Sequence, residues 1–263
     1  MIVASDLDRT LIFSPRRLDP AGPITVPVEW RETQPVGFMT QRALRCFQSI
    51  AARAPFFLNT LRGLEQANRV GFVQHGWCKY LALQNGLYLY REGREDTVWS
   101  AYVRRTVSAL PLDLSGGIAQ VLAALPGIQC MSKQYEYLAV FFVEEVAFDS
   151  ATCCQLVSEL NAQGWDLCRQ GKKLYLFPLA IHKGAVLDRV RALEGEETVW
   201  GLGDSEFDVP MLRACQRAFA PQDSALWNRD WGFPIQFSQK PAQAGTQELL
   251  EMILSDLGEQ PLC

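Results

Sequence analysis

Four aspartates occupy two distant places in this sequence, each directly after a short apolar run: Asp6 and Asp8, with Thr10, in "IVASDLDRT", and Asp204 and Asp208 in "GLGDSEFD". A third run, "PFFLNT", closes on Asn59 and Thr60, and Lys183 opens the segment "HKGAVLDRVRAL". Short apolar runs bounded by turn-forming residues read as buried strands. In open α/β sheets the reactive crevice lies outside the carboxyl ends of the strands, so these side chains converge if the runs share one parallel sheet. Carboxylates gathered in a partly buried site repel each other, and a cation is expected among them. Oxygen-only ligands favour a hard divalent ion, Mg2+ above all. Such an ion bridges a carboxylate and a phosphoryl oxygen, so phosphoryl transfer is the chemistry that fits. In that chemistry a strand-end aspartate attacks phosphorus to form an aspartyl-phosphate. A second aspartate two residues on exchanges protons with the leaving group and then with water, while threonine and lysine hold the equatorial oxygens.

The elements that must position these groups are legible in outline. "MIVAS" is apolar without alternation and reads as a fully buried strand. Residues 14–37 are rich in Pro and Gly but contain β-leaning pieces, which predicts a loop with a small hairpin. Thr40 caps a helix whose apolar residues Leu44, Phe47, Ile50 and Ala51 recur at helical spacing. After the strand at 55–60, "RGLEQANRV" reads as a helix and "KYLALQNGLYLY" as two strands turning at Asn85-Gly86. From residue 88 the pattern becomes an α+β block, with a helix around 150–164 and two strands turning at Gln170-Gly171. The strand and helix alternation then resumes with "HKGAVLDRVRAL", "TVWGLG", "DVPMLRAC" and a terminal amphipathic helix, "TQELLEMILSDLG". The predicted fold class is α/β, a Rossmann-like parallel-sheet core formed by 1–87 and 179–263 with an inserted α+β cap domain over 88–178.

Composition narrows the function classes. The 263 residues are 48% hydrophobic and 21% charged, a globular balance, with a net charge of -4. No general basic field is available for nucleic acid or an anionic membrane, so neither partner is expected. The eight cysteines form no CxxC pair and read as reduced. Acids stand where a signal peptide needs a basic start, and no 18-residue apolar stretch occurs, so a soluble cytoplasmic protein is expected. The two histidines, His75 and His182, leave little material for a zinc site or a Ser-His-Asp triad.

Each motif alone has an ordinary explanation: a strand-end turn for "DLDRT", a helix cap for Thr60, a solvated helix-start lysine for Lys183. Their order along the chain is what argues for a shared site. Arg16, Arg17, Arg62 and Lys79 are weaker candidates for supplying positive charge to an anionic substrate. Cys153-Cys154 reads as packing material, Trp77 as core, and Trp30 as part of a flap.

The series "DLDRT", "NT", "HKGAVL" and "GDSEFDVPML", with an insert before the lysine, resembles the haloacid dehalogenase superfamily of aspartate-nucleophile phosphatases, in the branch of sucrose-phosphate and mannosyl-phosphoglycerate phosphatases. The resemblance spans nearly the whole chain. It implies Asp6 as nucleophile, Asp8 as general acid/base, and Thr60 and Lys183 as phosphate-binding groups, with Thr10 and Asn59 beside them. It implies metal binding by Asp6, the backbone carbonyl of Asp8, Asp204 and Asp208. Arg9 stands where many members have glycine, Phe207 where asparagine is commoner, and Asn59-Thr60-Leu61-Arg62 is an infrequent form of the second motif. The expected activity is Mg2+-dependent hydrolysis of a small phosphorylated metabolite, a sugar phosphate or nucleotide-like compound. A phosphomutase, or a sensor that binds a phosphorylated ligand without turnover, are the rival expectations.

Overall fold

The first apolar run forms strand β1 (Ile2–Ser5), buried along its whole length. After a single 3-10 turn at Pro15–Arg17, the Pro/Gly-rich stretch folds as the antiparallel hairpin β2 (Thr25–Arg31) and β3 (Gln34–Thr40). Thr40 then caps α1 (Gln41–Ala51), its Oγ1 accepting the Ala43 N–H at 2.9 Å, as a threonine before an apolar-periodic segment should. Strand β4 (Phe56–Asn59) follows. The helix expected over "RGLEQANRV" is a single turn, α2 (Leu64–Ala67), and a second one-turn helix, α3 (Gly71–Gln74), follows directly after that segment. Strands β5 (Tyr80–Leu83) and β6 (Tyr88–Arg91) pair antiparallel across a turn in which Gln84, Asn85 and Gly86 all have positive φ, and β7 (Arg94–Glu95) adds to β6.

The chain next enters the insert: α4 (Thr97–Ser108), α5 (Leu114–Ala124), β8 (Ile128–Gln134), β9 (Ala139–Val143), α6 (Ala151–Ala162), β10 (Trp165–Gln170) and β11 (Lys173–Pro178). It then returns with α7 (Lys183–Glu194), β12 (Val199–Leu202), α8 (Val209–Arg213), β13 (Arg217–Ala220), β14 (Gln236–Phe237) and α9 (Ala242–Asp256). This computed structural model describes residues 1–125, 128–143 and 151–258; the predicted helix start at residue 150 and Cys263 lie outside them. Among the described residues no helix is long and apolar enough to cross a membrane.

The chain divides into two units, Met1–Asp96 with the segment from Lys183 onward, and Thr97–His182. The sequence had placed the first border at 87/88. It falls nine residues later because β6 and β7 stay hydrogen-bonded in the sheet of the first unit, through pairs such as Leu81 with Tyr90 and Tyr90 with Glu95.

The first unit is built on an eight-stranded sheet of order β14-β13-β12-β1-β4-β5-β6-β7, parallel from β14 to β5. One face is covered by α1 and α9, whose Phe47, Ile50, Leu250 and Ile253 pack with Val3, Phe56, Leu58 and Leu202. Helix α9 begins four residues before the predicted "TQELL" start, and β13 and β14 were not foreseen. The second unit is an antiparallel sheet of order β10-β11-β9-β8. Leu167, Leu174, Leu176, Phe141 and Val143 alternate toward the apolar sides of α5 and α6, in the period-two pattern of a half-buried sheet. Trp165 is fully buried there and donates its Nε1–H to the Leu112 carbonyl at 2.9 Å.

Candidate active site

From β1 the chain builds outward to β4 and β5 on one side and to β12, β13 and β14 on the other. The end of β1 is therefore the topological switch point, where a crevice opens between diverging connections. Asp6 is the first residue past β1, and its N–H donates to the Leu202 carbonyl of β12 at 3.0 Å. The following turn doubles back through Leu11 and Ile12 N–H bonds to the Leu7 carbonyl, with Arg9 at φ 63. A left-handed residue at this point explains why glycine suits it, and the arginine accepts that strain.

The turn and the start of α7 bring together a buried charged cluster. Lys183, 1% exposed, donates to Asp6 Oδ1 at 2.5 Å and to Asp208 Oδ1 at 2.6 Å. Thr10 donates its hydroxyl to Asp6 Oδ2 at 3.2 Å, and its own carbonyl accepts from Thr246 of α9 at 2.5 Å. Asn59, at the end of β4, donates to the Lys183 backbone carbonyl at 3.0 Å, fixing where α7 starts. Asp208 Oδ2 accepts from the N–H groups of Asp204 and Ser205 at 3.0 and 2.9 Å and from the Ser205 hydroxyl at 3.0 Å. Gly203 permits this loop, since a Cβ there would lie 2.4 Å from Asp208 Cβ.

Asp204 is different. It is buried, yet neither carboxylate oxygen accepts a hydrogen bond from any described residue, and the nearest cation is Arg9 Nε, 3.4 Å from Oδ2. One oxygen each from Asp6, Asp204 and Asp208 lie within 4.8 Å of one another. Burial, opposed by Lys183 and reinforced by Asp208 and Asp8, pushes the Asp6 carboxyl up to about 7. Burial together with Asp6 and Asp208, opposed by Arg9 and Lys183, raises Asp204 well above its ordinary value. For Lys183 burial works against the charge, but Asp208 and Asp6 outweigh it and hold the ammonium above the ordinary lysine value. An oxygen-only donor set with an orphaned buried carboxylate fits a hard divalent cation. Asp208 Oδ2 already has three donors, the Asp6 oxygens and Asp208 Oδ1 have one each, and Asp204 offers the freest oxygens for it.

Asp8 stands outside this cluster, its side chain 51% exposed. Both of its oxygens are held by Arg62, which also grips Glu29 of the hairpin. Thr60 is buried at the end of β4, and its hydroxyl accepts the Arg62 N–H at 3.2 Å.

No protein-family model matches the sequence, and no curated protein does. Solved structures do match over nearly the whole chain. Sucrose-phosphatase from Synechocystis, solved in complex with sucrose and phosphate, aligns at a TM-score of 0.64 and 15% identity, over 97% of this chain and 98% of that one. A sugar phosphatase of HAD subclass IIB aligns at 0.64 and 11% identity over 98% of each chain. Trehalose-6-phosphate phosphatase from Aspergillus fumigatus aligns at 0.56 and 13% identity, covering 97% and 92%. This is the haloacid dehalogenase fold.

Within that fold the expected residues fall into two groups. Asp6, Thr10, Asn59, Lys183, Asp204 and Asp208 form one connected set, whereas Asp8 and Thr60 join a second set through Arg62. The other candidate cations stand apart: Arg16 and Arg17 are exposed in the 3-10 turn, and Lys79 pairs with Glu194 at 2.8 Å. His75 is exposed and Trp77 packs against the Phe47 core. The sequence pattern does not single out Glu29 or the reach of Arg9 to Asp204. Glu29 carried one signal, an acid within "TVPVEWR" facing a glycine on the partner strand, but only the register reveals that pairing.

Proposed function

We propose that this protein is a Mg2+-dependent phosphomonoesterase acting on a small phosphorylated metabolite, with sugar phosphates as the leading substrate class. The observation that carries the reading is the buried set at the switch point: Lys183 between Asp6 and Asp208, with Asp204 bare beside them. The fold shared with sucrose-phosphatase and trehalose-6-phosphate phosphatase supports the substrate class. Asp6, Asp204, Asp208 and the backbone carbonyl of Asp8 are the groups to hold a magnesium ion, which when bound supplies charge neutralisation and polarises the phosphoryl group.

In this reading the Asp6 carboxylate attacks phosphorus and the bond from phosphorus to the ester oxygen breaks. Asp8 delivers a proton to the departing oxygen, giving a free alcohol and an aspartyl-phosphate on Asp6. Asp8, now a carboxylate, takes a proton from water as that water attacks phosphorus, which returns Asp6 and releases inorganic phosphate. Lys183 and Thr10 hold the Asp6 carboxylate in place for both steps, and Lys183 and Thr60 offset the charge on the phosphoryl oxygens.

A phosphate-release assay over a panel of sugar phosphates and nucleotides with magnesium is expected to find turnover. The substitution Asp6→Asn is expected to abolish it with little change in melting temperature. A wild-type rate from that variant rules the mechanism out. Phosphoryl transfer between sugar hydroxyls without free phosphate would make the protein a phosphomutase. Ligand-induced stabilisation without either reaction would make it a sensor.

A further inference from the structure

Arg62 is the most heavily engaged cation among the described residues. Its Nε and Nη2 donate to Asp8 Oδ2 and Oδ1 at 2.8 and 2.7 Å, and its Nη1 and Nη2 donate to Glu29 Oε1 and Oε2 at 2.6 and 3.0 Å. Nη1 also donates to the Gln66 carbonyl at 3.3 Å. A guanidinium has five N–H donors and no acceptor, so none is left for a substrate phosphate. The fork is bidentate on both carboxylates, the geometry that fixes orientation as well as charge. Burial works against the Arg62 charge, but the bonds to Asp8 and Glu29 outweigh it and raise its proton affinity.

Glu29 is placed by an irregularity in the hairpin. The pairing of β2 with β3 shifts register on either side of Glu29, and the residue opposite it is Gly37. A Cβ at Gly37 would lie 2.6 Å from Glu29 Oε2 and 2.8 Å from Glu29 Cβ. A bulge re-aims a side chain out of strand alternation, and here it turns a carboxylate inward until its side chain is 7% exposed. An acid buried that far needs a cation, and Arg62 is the one it meets. Thr60 fixes the other end of the linkage by accepting the Arg62 backbone N–H.

We propose that Arg62, anchored by Glu29, is a positioning residue that holds the Asp8 carboxylate in one orientation for proton exchange with the leaving group. The proposal rests on the reading of Asp8 as general acid/base given above. The Arg62 side chain has no hydrogen bond to Asp6, and its five N–H donors are all engaged, so its side chain acts on the reaction through Asp8.

The consequence is a dependence on leaving group. Phenol is about as basic as a tyrosine side chain, pKa ~10, and needs a proton as it departs, whereas 4-nitrophenol is far more acidic and departs unaided. The test measures kcat/KM with magnesium for phenyl phosphate and 4-nitrophenyl phosphate in wild type, Arg62→Met, Glu29→Gln and Asp8→Asn. The ratio of the two values is independent of the folded fraction, so a variant that merely folds poorly leaves it unchanged. Asp8→Asn sets the ceiling, with the ratio expected to fall about 10²-fold. Arg62→Met is expected to lower it roughly tenfold and Glu29→Gln by a smaller factor in the same direction, as loss of a positioning contact should. Arg62→Lys should not restore the ratio, because an ammonium cannot grip both oxygens. Equal losses on both substrates in Arg62→Met, beside a selective loss in Asp8→Asn, overturn the proposal and leave the acid–base reading standing. Equal losses in Asp8→Asn remove both.

Discussion

The two charged clusters beyond the carboxyl end of the sheet are satisfied in opposite ways. Around Arg62, all four oxygens of Asp8 and Glu29 rest on a single guanidinium. Around Lys183, Asp208 is saturated and Asp6 is held twice, but Asp204 is buried with no hydrogen bond from a described residue. A buried carboxylate with no hydrogen-bond donor and one arginine at 3.4 Å is costly and persists only where the surrounding structure enforces it. The first arrangement is complete and fixes a direction; the second is short of positive charge, which is what the proposed reading assigns to a cation. Asp6 and Asp8, only two positions apart, are thus held by different cations, Lys183 and Arg62.

Removing the internal cation of the reactive cluster is the sharpest way to break this contrast. Lys183→Met leaves Asp6 and Asp208 facing each other with no ammonium between them. Phosphate release is expected to fall roughly 10²- to 10³-fold. Loss of one partner from a buried pair also costs about 3–5 kcal/mol, which denaturant unfolding reads directly. Asp208→Ala is next in size, since it strips acceptors from the N–H groups of Asp204 and Ser205 and from the Ser205 hydroxyl. Each buried donor left bare costs about 1–3 kcal/mol. Asp208→Asn keeps one acceptor oxygen and should recover part of the loss; equal destabilisation by both substitutions would show that the loop does not depend on these bonds.

Both clusters were legible residue by residue, through Asp6, Lys183, Asp204 and Asp208 in one and Asp8, Thr60 and Arg62 in the other, but Glu29 and the linkage it makes were not, for a physical reason. Asp6, Asp204 and Lys183 sit immediately beside apolar runs or a helix start, so local pattern alone places them at strand and helix ends. Glu29 lies in the middle of a strand, where alternation predicts an outward polar side chain, and only the register shift opposite Gly37 turns it inward. The missed strands have the same origin: β14 is two residues long, and β13 opens with Arg217, whose guanidinium stacks over Trp200 and Phe219. Long-range packing gives such segments their identity. The helix expected over 62–70 stops at Ala67 because Arg69 and Val70 are drawn onto the hairpin, where the Trp30 N–H donates to the Arg69 carbonyl at 3.2 Å and Val70 bridges Glu29.

A smaller perturbation sharpens the contrast without touching a charge. Gly37→Ala places a methyl group against the Glu29 carboxylate, at a cost of about 1–3 kcal/mol for overpacking. Displacing Glu29 should lower the ratio of phenyl to 4-nitrophenyl phosphate turnover in the direction of Glu29→Gln, while phosphate release from the nitrophenyl ester falls less. A Gly37→Ala variant with wild-type selectivity would mean that Glu29 holds Arg62 from more than one position.

The smallest effect separates the clusters by pH. The Asp6 carboxyl is raised to about 7 in the folded protein, chiefly by burial, against Lys183 and with Asp208 and Asp8 adding to it. A carboxyl raised on folding binds its proton more tightly in the native state, so its contribution to stability is full below the unfolded value of about 3.9 and is lost as pH rises through 7. In Asp6→Asn this titration is absent. Without magnesium, and with a chelator present, the melting temperature of the variant relative to the wild type should rise between pH 5 and pH 8, by roughly 5 °C. Adding magnesium should raise the wild type at pH 8 and shrink that rise, because the ionised carboxylate then has the cation it lacks. A gap that is constant from pH 5 to 8, or one that magnesium leaves unchanged, would mean that burial of charge at Asp6 is not what distinguishes the two sites.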